Sequence, residues 1–191
     1  MAWGNSHGCW RAIFCFLQER HLRYIFNISF SIFLAATLAL MLIFYLQLSK
    51  DETFSFEEKA LPPLNLKTFD GTYYSNNQLD PENYKLINVW ATWCVNCKLE
   101  HGFLMQKKNE GFQILGLNYK DDINKAIKWL NQFGNPYQIN LFDNLGDYGF
   151  KLGVSGAPET YLLDKKNLII QKHIGIMSDE VWKNKFKPLI R

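Results

Sequence analysis

The sequence predicts an α/β domain built on a mixed sheet and preceded by one membrane-spanning helix. Two patterns carry this prediction. Beyond residue 60, short apolar runs of strand length alternate with stretches of helical periodicity, then close on a hairpin and a last helix. Ahead of them, 18 of the 22 positions in 25–46 are apolar, and 24–49 holds no ionisable side chain other than two tyrosines. At 191 residues, 48% hydrophobic and 20% charged, the chain has room for one compact core and an appendage and is too apolar for a disordered protein.

In chain order, residues 1–23 form a tail, 24–48 a membrane anchor, 49–60 a polar, acidic linker, and 61–191 the globular domain. About 20 apolar residues span a bilayer as a helix. A cleaved signal has an apolar region of only about 7 to 15 residues ending in a small-x-small site. The stretch Leu46, Gln47, Leu48, Ser49, Lys50 offers no such site, so the segment reads as an uncleaved anchor. Arg11, Arg20 and Arg23, with Glu19, give the tail a charge of +2, whereas residues 49–191 carry 18 Lys+Arg against 17 Asp+Glu. Positive charge is retained on the cytoplasmic side, which places the tail inside and the domain outside. A near-neutral domain has no basic stripe for phosphates, and nucleic acid is not an expected partner.

Within the domain, Pro62 and Pro63 close the linker, and 64–79 alternates with the turn residues Asp70, Gly71, Asn76 and Asn77 as short strands do. Residues 84–91 form the first long strand. A helix follows from the cysteines to about Lys108, with Leu99, Phe103 and Leu104 at helical spacing and a stop at Gly111. Phe112, Ile114, Leu115 and Leu117 make the next strand. Asp121 or Asp122 then caps a helix whose apolar stripe is Ile123, Ala126, Ile127, Leu130 and Phe133, with Pro136 ending the segment. Ile139, Leu141 and Phe142 form a third strand, and 144–153 is an irregular or briefly helical connection. Residues 160–163 and 168–174 pair as a hairpin across Asp164, Lys165, Lys166 and Asn167. Ser178 caps a final helix carrying Val181, Trp182, Phe186 and Leu189.

The chemistry concentrates at Cys94, Val95, Asn96 and Cys97, where a strand runs into a helix. A cysteine at a helix start lies beside unpaired backbone N–H groups and the positive end of the dipole, which favours thiolate over thiol. With a second thiol one turn behind, the pair is a dithiol–disulfide exchanger: an exposed Cys94 attacks and a more buried Cys97 resolves the mixed disulfide. Other uses fit less well. Structural zinc needs four ligands, and His101 offers only a third on this side of the membrane. Covalent haem attachment needs His where Lys98 stands. A purely structural disulfide across so short a loop removes little chain entropy. A peroxidatic cysteine sits in a Thr-x-x-Cys context, whereas residues 91–94 are Ala, Thr, Trp, Cys. Cys9 and Cys15, across the membrane, read as incidental reduced thiols. Trp93 either walls the first sulfur or packs in the core, and both readings stay open. Pro158, between Ala157 and an apolar strand, reads as a turn residue or as a cis proline that leaves adjacent backbone groups for an incoming strand.

Four separated motifs then carry a resemblance: residues 90–101 around the cysteines, 116–122 (Gly116, Leu117, Asn118, Tyr119, Lys120, Asp121, Asp122), 134–137 (Gly134, Asn135, Pro136, Tyr137), and 153–160 from Gly153 to Thr160. In this order they are similar to the DsbE or CcmG family of cytochrome c biogenesis thiol:disulfide interchange proteins, over about residues 61–190. The resemblance implies a thioredoxin-like fold with a central insertion, tethered to the bacterial inner membrane and facing the periplasm. It implies Cys94 as nucleophile, Cys97 as resolving thiol, Pro158 as the cis proline, and Glu100 and Glu159 as the acidic residues marking the site. No cofactor is implied beyond the redox-active Cys94–Cys97 disulfide. The implied partners are apocytochrome c or a cytochrome c maturation thiol protein, and a membrane electron donor of the DsbD or CcdA kind.

Two departures bear on mechanism. Thioredoxins carry a buried Asp six residues before the first Cys, where this chain has Asn88, which cannot act as a base. Glu100 or Glu159, directly or through water, then takes the proton of the second thiol, or else these acids have only a charge or surface role. The Val95–Asn96 dipeptide replaces one that often begins with Pro, which bears on redox potential. Two further functions fit the same sequence: a general periplasmic disulfide oxidoreductase, and a redox-silent tethered module that holds apocytochrome.

Overall fold

The computed structural model describes residues 30–47 and 58–190. Residues 1–23 with Cys9 and Cys15, the first part of the expected anchor, and most of the linker lie outside them. The chain divides into two units, 1–54 and 55–191.

In the first unit, α1 (Phe30–Gln47) has 18 residues, a mean hydropathy of 2.1 and no buried side chain. At about 1.5 Å per residue it is about 27 Å long, enough by length and composition to cross a membrane.

The second unit is an α/β sandwich. Its strands are β1 (Lys59–Ala60), β2 (Asn65–Lys67), β3 (Tyr73–Ser75), β4 (Lys85–Trp90), β5 (Gln113–Tyr119), β6 (Ile139–Asp143), β7 (Glu159–Leu163) and β8 (Leu168–Ile174). Six form one sheet in the order β1-β8-β7-β4-β5-β6, and β2 pairs β3 in a separate hairpin. β4, β5 and β6 are mutually parallel, while β7 runs antiparallel to β4 and to β8. The sheet is therefore mixed, as expected. It also takes in Lys59 and Ala60, assigned above to the linker, which pair with Ile169 and Leu168 of β8. Two residues on a sheet edge leave no periodic trace in sequence.

The helices follow the strands. α2 (Val95–Asn109) ends before Gly111, whose φ is +90°. α3 (Ile123–Phe133) is capped by Asp122, which accepts from the Lys125 N–H at 2.9 Å. Its buried positions are Ala126 and Leu130, while Ile127, expected in the apolar stripe, is 37% exposed. The short α4 (Asp147–Leu152) falls in the segment expected to be irregular or briefly helical. With β6 it lies between α3 and Pro158. α5 (Asp179–Val181) is capped by Ser178, then widens into a π turn over Trp182–Phe186 and tightens into a 3-10 turn over Lys187–Leu189. Pro188 explains the change, because it has no N–H to give and its ring crowds the carbonyl four residues back.

Side chains alternate through the sheet and split the core in two. Leu86, Trp90, Ile114 and Leu162 pack with Leu104 of α2 and Leu130 of α3 on one face. Ile87, Val89, Leu117 and Leu163 pack with Tyr148 and Leu152 on the other. β4, central and buried on both faces, is buried at every position. Beside it, Gly116 of β5 is opposite Asn88, and a Cβ there would lie 2.6 Å from the Tyr137 ring. Only hydrogen fits between strand and ring. Gly116→Ala is therefore expected to destabilise the domain by about 1–3 kcal/mol through overpacking, seen as a lower urea midpoint at unchanged slope. An unchanged midpoint would show that the ring yields freely.

Candidate active site

The three parallel strands β4, β5 and β6 end on the same side of the sheet, and the site is built from the segments that follow the first two. After β4, residues 91–93 lead into Cys94, the N-cap of α2. The Cys94 N–H bonds the Ala91 carbonyl at 3.2 Å, and the Cys97 N–H donates to the Cys94 sulfur at 3.1 Å. This is the helix-terminus contact that stabilises a thiolate. Cys94 and Cys97 are joined by a disulfide of 2.06 Å. Cys97 is 3% exposed, as a resolving thiol should be, but Cys94, expected to be exposed, is only 7% exposed. Both sulfurs sit in the apolar cluster with Trp90, Ala91 and Met177.

Trp93 is 55% exposed, so it is not a core residue; its indole N–H donates to the Lys120 carbonyl at 3.0 Å. Val95 and Leu99, one turn apart on α2, are also exposed. Together they put apolar surface around a nearly closed disulfide. Asp121, placed by the sequence as a possible helix cap, has another task. It accepts the Thr92 N–H at 2.6 Å, the Thr92 hydroxyl at 2.7 Å and the Asn118 amide at 2.9 Å, pinning the loop before Cys94 to the end of β5. Burial pushes its carboxyl upward, but the bonds from Thr92 and Asn118 outweigh it and hold the group below the usual range. An Asp one residue before a cap is the only signal sequence offered.

The buried face of α2 consists of Cys97, Glu100, His101, Leu104 and Lys107. Glu100, three residues after Cys97, is 1% exposed, with Oε1 accepting from Asn88 Nδ2 at 2.7 Å and Oε2 from the Met177 N–H at 2.8 Å. Burial pushes its carboxyl up to about 7 against the pull of those two bonds. His101 does not turn to the cysteines: its Nε2 lies 3.1 Å from the Phe133 carbonyl and its ring meets Trp129 edge-on.

The Ala157–Pro158 bond is cis, and Pro158 is buried at the start of β7. β7 pairs with the site strand, Glu159 opposite Val89 and Thr160 opposite Asn88. One neighbouring group is already engaged, since the Pro158 carbonyl accepts from the Gly175 N–H at 2.9 Å. Glu159 alternates with Thr160 and so faces away from α2, into the other half of the core. There its carboxylate accepts from the Ser155 N–H at 2.7 Å, the Gly156 N–H at 3.2 Å, the Ser155 hydroxyl and the Tyr161 hydroxyl at 2.6 Å, and meets Lys172 Nζ at 3.0 Å. Burial raises its proton affinity, but the bonds from Ser155, Tyr161 and Lys172 prevail and hold it below the usual range. The fold thus gathers Cys94, Cys97 and Glu100 on one face and sets Glu159 on the other, where it shapes the loop leading to Pro158.

The chain is similar to known proteins. The Redoxin family model matches residues 56–187. The thiol:disulfide interchange protein DsbE of Escherichia coli (strain K12) is 40% identical over 173 residues, which covers 87% of this chain and 94% of that protein. The protein of the same name from Tatumella citrea is 45% identical over 133 residues, 69% of this chain and 72% of its own. Among solved structures, a secreted thiol-disulfide isomerase from Corynebacterium glutamicum superposes with a TM-score of 0.60 at 21% identity, covering 71% of this chain and 91% of that one. A thio-disulfide isomerase from Thermus thermophilus gives a TM-score of 0.55 at 19% identity, with 66% and 92% covered. These likenesses bear out the thioredoxin-like fold. With its Cys-x-x-Cys pair at the head of α2, the chain is a thiol:disulfide oxidoreductase and belongs to the DsbE family of thiol:disulfide interchange proteins.

Proposed function

We propose that this chain is a periplasmic dithiol reductant of cytochrome c maturation, held at the bacterial inner membrane by its apolar N-terminal helix with the Arg-bearing tail in the cytoplasm. The observation that carries the redox reading is the Cys94–Cys97 disulfide at the N-terminus of α2 with Glu100 buried three residues beyond it. Its partners are an oxidised apocytochrome c or maturation thiol protein, and a membrane dithiol donor of the DsbD or CcdA kind that restores the reduced state. It needs no cofactor beyond its own disulfide.

The exchange runs in two steps. The Cys94 thiolate attacks one sulfur of the partner's disulfide, forming a mixed disulfide and releasing the partner's other sulfur as a thiolate that takes a proton from water. Cys97 then gives its proton to Glu100 and attacks the Cys94 sulfur. The Cys94–Cys97 bond forms, the bond to the partner breaks, and the second partner sulfur leaves with the electron pair and is protonated. The partner gains two electrons and two protons, and the dithiol becomes a disulfide. Glu100 suits the proton step because its carboxyl titrates at about 7, near working pH. Glu159 is saturated with donors on the far face of the sheet and stays ionised.

In a deletion strain, holocytochrome c is expected to disappear and to return with the wild-type chain or added thiol, but not with Cys94→Ala, Cys97→Ala. Return with that double variant would mark a binding module, and Cys97→Ser should trap the thiol partner as a mixed disulfide. Resolution of such a disulfide should slow as pH falls through about 7; Glu100→Gln should abolish that dependence and slow resolution about a hundredfold. Glu159→Gln should leave the midpoint in place. Glu100 also leaves a mark on stability, since its folded pKa of about 7 lies above its ordinary 4.5. Its contribution is fully present below about pH 4.5 and lost as pH rises through 7. Urea unfolding of the oxidised chain should therefore show Glu100→Gln gaining on wild type by up to about 3 kcal/mol across that window. A flat difference would place the carboxyl's titration elsewhere.

A further inference from the structure

Two of the motifs in 116–122 and 134–137, Gly116 and Tyr137, have so far no part in the chemistry, and they meet directly above Asn88. Gly116, Asn88, Thr160 and His173 are register partners across β5, β4, β7 and β8, so they form one row on the sheet face covered by α2. Gly116 is the gap in that row. The Tyr137 ring enters it, lying against Gly116 and stacking on Trp90 at 5.4 Å between centroids. From there the Tyr137 hydroxyl donates to Asn88 Oδ1 at 2.9 Å.

This contact decides which way the amide points. With Oδ1 held by Tyr137, Nδ2 faces Glu100 Oε1 at 2.7 Å and Thr160 Oγ1 at 3.0 Å. The other carboxylate oxygen faces the Met177 N–H. Both oxygens of Glu100 therefore meet donors. Such surroundings suit a carboxylate, whereas a carboxylic acid needs an acceptor for its proton and finds none among these partners. The titratable side chains on the elements packed round Glu100 are Cys97 and His101 of α2, Tyr137, and His173 of β8, with Glu159 of β7 turned to the opposite face. His101 and His173 have their Nε2 atoms at the Phe133 and Ile176 carbonyls, at 3.1 and 3.2 Å, and burial lowers the proton affinity of both.

We infer that Tyr137 is a positioning residue for the dithiol reaction: its hydroxyl locks the Asn88 amide with the donor side toward Glu100, so that a proton taken from Cys97 is held weakly and readily given up. This rests on Glu100 as the proton acceptor. Gly116 makes the lock possible by leaving room for the ring.

The test uses the reduced full chain carrying Cys9→Ser and Cys15→Ser, which leaves Cys94 and Cys97 as its two thiols, in detergent micelles with 5,5′-dithiobis(2-nitrobenzoate) as the probe disulfide. The first nitrothiobenzoate released reports attack by Cys94 and serves as internal reference; the second reports resolution by Cys97. Tyr137→Phe keeps the ring and loses only the hydroxyl. Asn88 can then turn its oxygen to a protonated Glu100, so the resolution profile should move up by about one pH unit, about tenfold slower at pH 6. In a Glu100→Gln background the same substitution should have no effect on the profile, which a general loss of packing would not reproduce. An unshifted Tyr137→Phe profile, with the acid limb lost in Glu100→Gln, overturns the lock and leaves the acceptor standing. A Glu100→Gln profile like wild type overturns both.

Discussion

A carboxyl group stands in the apolar layer between the sheet and the helix that bears the cysteines, and the rest of the site is arranged to tolerate it. Burying a charge is costly unless donors replace the lost water. Glu100 receives them from β4 through Asn88 and from the segment after β8 through the Met177 N–H. Asn88 in turn bonds Thr160 of β7 and Tyr137 beyond α3. One side chain thus ties α2, the central strands and the approach to α5 together at a point three residues past Cys97. Burial still outweighs the donors, and a carboxyl near pH 7 results. Each donor removed would raise its proton affinity further, and each one added would lower it.

Glu159 shows the second outcome in the same molecule. Like Glu100 it is closed to solvent, at 0% against 1% exposure, yet its proton affinity moves in the opposite direction. Glu100 lies deeper in the protein and burial dominates there, whereas donors dominate at Glu159: two backbone N–H groups, two hydroxyls and an ammonium surround Glu159, and an amide and one N–H surround Glu100. Loss of solvent contact alone does not set the direction of a carboxyl's shift. The pleat of β7 sets Glu159 on the sheet face opposite Glu100, where it holds the loop before the cis proline.

Periodicity made β4, α2, β5, α3 and the β7–β8 hairpin legible in sequence, because each buries side chains at the spacing of its own backbone. The cysteine pair was legible because few chemistries need two thiols one turn apart at a helix start. What escaped were polar residues in apolar places. Leu99, which read as part of the helical stripe, is 66% exposed, while Glu100, His101 and Lys107 fill the buried face instead. Counting from Cys97 at intervals of three and four finds that face; counting apolar residues does not. Asp121 was hidden for a related reason, since its partners Thr92 and Asn118 come from two different strand ends. The depth of Cys94 was unreadable too, because it depends on Ala91, Trp90 and Met177 converging from separate parts of the chain.

That depth constrains how any partner can react. With Cys94 at 7% and Cys97 at 3% exposure, a partner's sulfur can reach only the rim of the disulfide, and access narrows further toward the second sulfur. Around the rim stand Trp93, Val95 and Leu99, all more than half exposed, so approach buries apolar area before any bond changes. Trp93 is fixed there by its bond to the Lys120 carbonyl, and Lys120 is fixed in turn by its N–H to the Asp143 carbonyl of β6. Lys98, the cation next to Cys97, has its ammonium 4.5 Å above the Phe133 ring. The β6–α4 unit therefore acts on the exchange site at second hand, by bracing the loop that braces the tryptophan. Behind this braced apolar rim lies a buried disulfide, so a partner surface that covers the rim buries apolar area that a small polar disulfide does not.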